Sequence, residues 1–213
     1  MDLYSDHHPN KSLKNTGFKD IKTAEKTIKL IQKRSLKYQF DVINTMYNRA
    51  KYHPHKTKNM EDAMKIFKKW LDLYPKLKKK EDNKYPFLSL NTIAKYEKIA
   101  NLYGVSEVAR GIKKSSKTDK GFLEMYKEVK GKPNKLQYIP VKLNQPDKQD
   151  YWSYRIGFLN SRLGQMKKAK TPLYYNNGKY AGLPTKQHII LIMHGYSPDK
   201  KLYSNHQTPL NRI

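Results

Sequence analysis

Leu183–Pro198, LPTKQHIILIMHGYSP, contains the longest unbroken apolar run of the chain, Ile189–Met193, in a protein of formal net charge +26. Elsewhere the hydrophobic residues stand singly, spaced as on the inner stripe of a helix. A segment apolar all round is buried on every side, so this run is expected at the centre of the core. Pro184-Thr185 suits a helix start and Gly195 a helix stop, which predicts a short buried helix. The same residues also have the look of a strand, because His194-Gly195-Tyr196-Ser197 resembles the oxyanion-hole turn of α/β-hydrolases. That fold needs a Gly-x-Ser-x-Gly elbow further along. Only 15 residues follow Pro198, and no such elbow occurs in the chain. The hydrolase reading fails.

Working outward, residues 151–213 carry 10 Lys and Arg against a single acid, Asp199. A compact body so charged repels itself unless a polyanion neutralises it. Nucleic acid meets that need through phosphate contacts and counterion release. Drift towards lysine under an AT-rich coding bias would give the same composition, but would spread the charge evenly over every face. Lys (38) far outnumbers Arg (6), which favours diffuse phosphate binding over base readout. The 17 Tyr, 6 Phe and 2 Trp are too many aromatics for a disordered chain, and the absence of Cys excludes disulfides and thiolate metal sites. The N-terminal MDLYSDHHPNKS lacks the apolar region of a secretion signal, and no stretch approaches the length of a membrane span.

Periodicity predicts a mainly α fold, an N-terminal three-helix bundle followed by a second small helical domain, with little or no β. Residues 1–19 read as an arm. Asp20 caps a first helix with the stripe Ile21, Ala24, Ile28 and Ile31, and Ser35 caps a second with Leu36, Phe40, Ile43, Tyr47 and Ala50. Asn59 starts a third, Met60, Ala63, Phe67, Trp70 and Tyr74, which Pro75 should stop. These form the bundle, 20–80, and Lys76–Asn83 reads as a charged linker. The second domain, 88–200, is expected to hold helices at about Asn91–Tyr103, Ser106–Ile112 and Gly121–Val129, and a strand at Gln137–Val141. A further helix, 151–168, carries Trp152, Ile156, Leu159, Leu163 and Met166. The tail is 201–213.

Two constellations are weak. Ile99–Ile112 has the small residue and turn of a helix-turn-helix, but Arg110 and Gly111 stand where its second helix should bury apolar residues. The close pairs His7-His8 and His53-Pro54-His55 recruit no acids, and His188 and His194 fall on opposite helix faces, so no metal site is expected. Walker and Gly-x-Gly-x-x-Gly motifs are absent, and no cofactor is expected. The stronger pattern is basic residues interleaved with tyrosines: Arg155, Arg162, Lys167, Lys168, Lys170, Lys179 and Lys186 with Tyr174 and Tyr175. Lysines and arginines suit phosphates, and exposed tyrosines stack on unpaired bases. Lys78, Lys79 and Lys80 form a second candidate contact. On this reading Arg155→Glu with Arg162→Glu reduces DNA affinity without unfolding the protein.

Gly104–Arg110 (GVSEVAR), Gly121-Phe122-Leu123, Arg155-x-x-Phe158 and Leu183–Pro198 together resemble small basic proteins encoded by large DNA viruses of algae and protists. The likeness covers about residues 90–200, with TMYNRAKYHPHKT as a frequent companion. It carries no activity or site residues over to this chain; it implies a viral protein packed in the virion. The expected function is therefore non-enzymatic binding of nucleic acid, DNA foremost and without sequence specificity, mainly through the phosphate backbone, in genome packaging or condensation. The alternative is a virion assembly protein whose basic face meets acidic capsid partners or membrane phosphates. The expected location is the virion or the host cell interior, not the exterior.

Overall fold

The computed structural model describes residues 13–82, 84–105 and 120–204. The fold among them is mainly α: α1 (Ile21–Ile31), α2 (Leu36–Lys51), α3 (Lys58–Asp82), α4 (Leu90–Leu102), α5 (Phe122–Glu128), α6 (Tyr151–Lys168) and α7 (Lys186–Met193). No strand forms among the described residues. Pro140 makes an isolated antiparallel bridge to Asp150 where a strand was expected, and Pro133–Gln137 winds into a 3₁₀ turn. The expected helix at Ser106–Ile112, and with it the second half of the helix-turn-helix, lies outside the described residues. So do most of the arm and of the tail.

The chain divides into two units, one of Met1–Lys84 with Gln137–Ser153, the other of Tyr85–Leu136 with Tyr154–Ile213. This differs from a boundary between 20–80 and 88–200, because residues 137–153 group with the bundle. The tie is polar. Asp150 accepts from the Ser35 backbone N–H at 2.7 Å and from Arg34 Nε at 3.2 Å, and the Ser35 hydroxyl donates to the Gln137 carbonyl at 3.2 Å.

In the first unit α1, α2 and α3 pack together around Ala24, Ile31, Ile43, Met46, Ala63 and Phe67. Asp20 caps α1 by accepting from the Thr23 N–H at 2.7 Å, as its sequence position predicts. The third helix does not stop at Pro75. It continues to Asp82, and the expected linker Lys76–Asn83 is helical as far as that residue. Proline removes one backbone hydrogen bond, while Tyr74 stacks on Phe40 at 4.4 Å and the strong helix formers KLKKKED follow.

In the second unit α4 packs on α7. Every residue of His188–Met193 is buried, so the apolar run is a core helix as its sequence requires. Burial of each large aliphatic side chain contributes about 1.5–3 kcal/mol. Thr185 caps α7, accepting from the His188 N–H at 3.4 Å, and Gly195 ends it at φ +71°. Gly104, at φ +62°, ends α4, where the Val105 N–H reaches back to the Ala100 carbonyl at 2.8 Å.

Candidate functional site

The first of the expected contact residues, Arg155, is not on the surface. It lies on the inner side of α6, 1% exposed, with its guanidinium 3.6 Å over the Phe87 ring. Nε donates to the His194 carbonyl at 2.8 Å, Nη1 to Tyr85 at 3.0 Å, and Nη2 to Pro86 and Gly195, both at 3.0 Å. Two of those carbonyls close the C-terminal end of α7, where a helix presents unsatisfied acceptors and negative partial charge. Arg155 is thus a structural clasp and cannot meet a phosphate. Burial pushes it down to about 9, against the opposing effect of the nearby tyrosines, so it stays cationic at neutral pH.

Arg162 is half-buried and donates to Gln187 Oε1 at 3.2 Å. Tyr174 is also occupied: its hydroxyl donates to Asp199 at 2.6 Å. Tyr175 belongs to an aromatic triad with Tyr103 and Tyr180, at centroid separations of 5.5 to 6.2 Å. All three rings are half-buried, so they act first as packing.

The second unit also holds a serine–histidine pair. His188 Nε2 lies 2.8 Å from Ser197 Oγ, and Nδ1 lies 3.0 Å from the Leu173 carbonyl. These distances fit a neutral ring donating from Nδ1 and accepting at Nε2. The Asp199 N–H donates to the same hydroxyl at 3.0 Å. With His188 0% and Ser197 2% exposed, the pair fastens the chain on either side of α7 and presents no nucleophile to solvent. Burial pushes His188 down to about 4. His194 is held at about 4 by burial, reinforced by the charges of Arg155 and Arg162. Its ring stacks on Phe158 at 3.7 Å, and its Nε2 is buried without a partner.

What the second unit does expose is lysine. Lys167, Lys168 and Lys170 crowd the end of α6, and Lys186 opens α7. Lys179 lies on the exposed tip of a hairpin-like loop, closed where the Thr185 N–H meets the Leu173 carbonyl at 2.8 Å and the Tyr175 N–H meets Leu183 at 2.9 Å. None of these five lysines has an ion-pair partner among the described residues.

In the first unit, Lys78, Lys79 and Lys80 are exposed on the last turns of α3, on helix rather than linker. A further row escaped the sequence reading. Lys22, Lys26 and Lys29 share the outer face of α1, one per turn, and Lys33 follows in the turn beyond; all are exposed and unpaired among the described residues. Glu25, on the neighbouring flank, forms no ion pair with them. On α3, by contrast, Lys58 meets Glu61 at 3.7 Å, Lys65 meets Asp62 at 2.7 Å, and Lys68 pairs with Asp72. The signal was available in the four-three-four spacing of those lysines, opposite the apolar stripe of the same helix.

Among the described residues no cluster of three metal-ligating side chains forms, and no helix is long and apolar enough to cross a membrane. No family model matches the chain, and no curated protein matches it in sequence.

Proposed function

We propose that this protein binds nucleic acid without sequence specificity, through the phosphate backbone, and does so as a non-enzymatic packaging or condensing protein. The unpaired lysine row of α1 carries the reading. Like charges one helical turn apart destabilise a helix by a few tenths of a kcal/mol per pair, and the first half of α3 in the same unit pairs Lys58, Lys65 and Lys68 with Glu61, Asp62 and Asp72. A whole row left without acids, where the first half of α3 pairs three lysines with them, supports charge allocated to a face over uniform drift towards lysine. The exposed lysines of α6, α7 and the Lys179 loop supply a second basic surface. The likeness to basic proteins of large DNA viruses of algae and protists agrees with a genome as the polyanion and the virion as its place.

Fluorescence anisotropy with random-sequence DNA tests this. Affinity should fall steeply with salt, with a log–log slope near −0.9 per phosphate contacted. Replacing Lys22, Lys26 and Lys29 together by Gln should weaken binding and make that slope shallower by up to about 3. Absence of binding at about 50 mM salt would end the proposal. A protein complex that survives nuclease treatment would favour the assembly role with acidic capsid partners.

A further inference from the structure

We infer that the first unit carries a cleft that receives a single nucleotide from an unpaired strand. The inference rests on the nucleic-acid reading above and names where that reading acquires a base contact. A cleft of 670 Å³ opens between the α1–α2 turn and the loop 141–149, lined by Lys33, Gln39, Lys142, Gln145 and Gln149 among others. That volume lies in the range of small-molecule sites, roughly 300–1,000 Å³.

Its wall is pre-set. Arg34, its side chain 2% exposed, uses three of its five N–H donors on Asp150, the Pro146 carbonyl at 2.6 Å and the Tyr138 carbonyl at 3.2 Å, so it braces the cleft and leaves a ligand to its neighbours. Gln39 is 8% exposed, and its Nε2 is anchored on the carbonyls of Arg34 at 2.7 Å and Gln32 at 3.4 Å. Its Oε1 is thereby held in one orientation and has no donor among the described residues. The side-chain amides of Gln145 and Gln149 are likewise without partners among the described residues.

The three kinds of group match the three parts of a nucleotide. Lys33 and Lys142, neither with an ion-pair partner among the described residues, suit a phosphate; the amides, which donate and accept, suit the edge of a base; and Leu36 and Val141 offer aliphatic surface to its face. The acid in the lining, Glu81, accepts from Trp152 Nε1 at 2.7 Å. Entry follows the lysine row. Lys33 is its last member, and a smaller groove of 290 Å³ bordered by Lys26, Lys29 and Lys33 shares Gln32 and Lys33 with the cleft. Asp147 also borders that groove but is paired with Lys148 at 3.2 Å. A duplex keeps its bases stacked, so a nucleotide can enter only from an unpaired stretch.

The test compares a single-stranded oligodeoxynucleotide with an abasic strand of the same length and phosphate count, each titrated with the full chain at one salt concentration. The base-bearing strand should bind about tenfold tighter, the size of one well-placed base contact. Gln145→Leu with Gln149→Leu should remove that advantage and leave the abasic affinity unchanged. Hydrogen exchange should show residues 141–149 protected by the base-bearing strand and not by the abasic one. Equal affinity of the two strands, or equal weakening of both by the variant, overturns the cleft while leaving backbone binding intact. Failure of both strands to bind removes the cleft and the function together.

Discussion

Arg34 and Arg155 are buried in different units, each stacked on an aromatic ring, Tyr38 at 3.8 Å and Phe87 at 3.6 Å. They are neutralised differently. Arg34 has a carboxylate, Asp150, which also accepts from the Ser35 and Ser153 N–H groups at 2.7 and 2.8 Å. Arg155 has only carbonyls, so its unit keeps a whole positive charge in an apolar interior. Arginine suits this because its planar fork presents five donors that several carbonyls can share. The first unit is joined through a charge pair between residues far apart in the chain. The second is fastened around the end of one buried helix.

The comparison can be broken at its strongest point with Arg155→Met, which takes a charged donor from four carbonyls, of which Gly195 keeps the Leu88 N–H at 2.8 Å and Pro86 the Tyr203 hydroxyl at 3.3 Å. Hydrogen bonds to a charged group contribute about 1.5–3 kcal/mol each, so a loss above about 5 kcal/mol is expected. Hydrogen exchange should then show α4 and α7 unprotected while α1–α3 keep their protection. Arg155→Glu should fail in the same way, so any fall in its DNA affinity would report unfolding rather than a lost contact. Arg34→Met should cost about 3 kcal/mol, read from the denaturant midpoint, because Asp150 keeps its two N–H donors.

Acid should separate the units next. Burial holds His188 and His194 down to about 4 in the fold, below the ordinary 6.5 of a histidine. The unfolded chain therefore binds protons first, and the stability that these neutral rings contribute is full above pH 6.5 and is lost as pH falls towards 4. The limit is about 3 kcal/mol for each ring. No histidine is buried among the described residues of the first unit, so urea midpoints of the second unit alone should fall between pH 7 and 4.5 (about the span of the two pKa values). His194→Phe, which keeps the stack on Phe158, should flatten about half of that dependence. The smallest effect is expected for Gly195→Ala. At φ +71° an L side chain is strained, by about 1–2 kcal/mol, although the nearest atoms to a new Cβ lie at 3.7 to 3.8 Å. A thermal melt would show it.

Much of this architecture was legible in the chain. The stripes around Ala24, Ile43 and Phe67 predicted three packed helices, and HIILIM predicted a core helix, since periodicity and continuous apolarity report burial directly. The basic faces were legible as composition but not as places. Arg155 stands in a row of cations, and nothing local distinguishes a clasp from a contact. The lysines of α1 were as visible as those of α6, but they lie in a part of the chain richer in acids. Whether those acids reach them is a matter of distance, and among the described residues none pairs with Lys22, Lys26, Lys29 or Lys33.

By itself the sequence determined the helical class, the burial of Ile189–Met193 and the strong excess of positive charge, because each follows from residue type and local spacing. Only the tertiary structure decided that Arg155 is interior, that residues 137–153 belong with the bundle, that α3 passes Pro75, and that a cleft of amides and lysines opens beside α1. Those outcomes depend on hydrogen bonds and contacts between residues as far apart as Arg34 and Asp150, 116 positions in the chain. Local patterning carries no record of them.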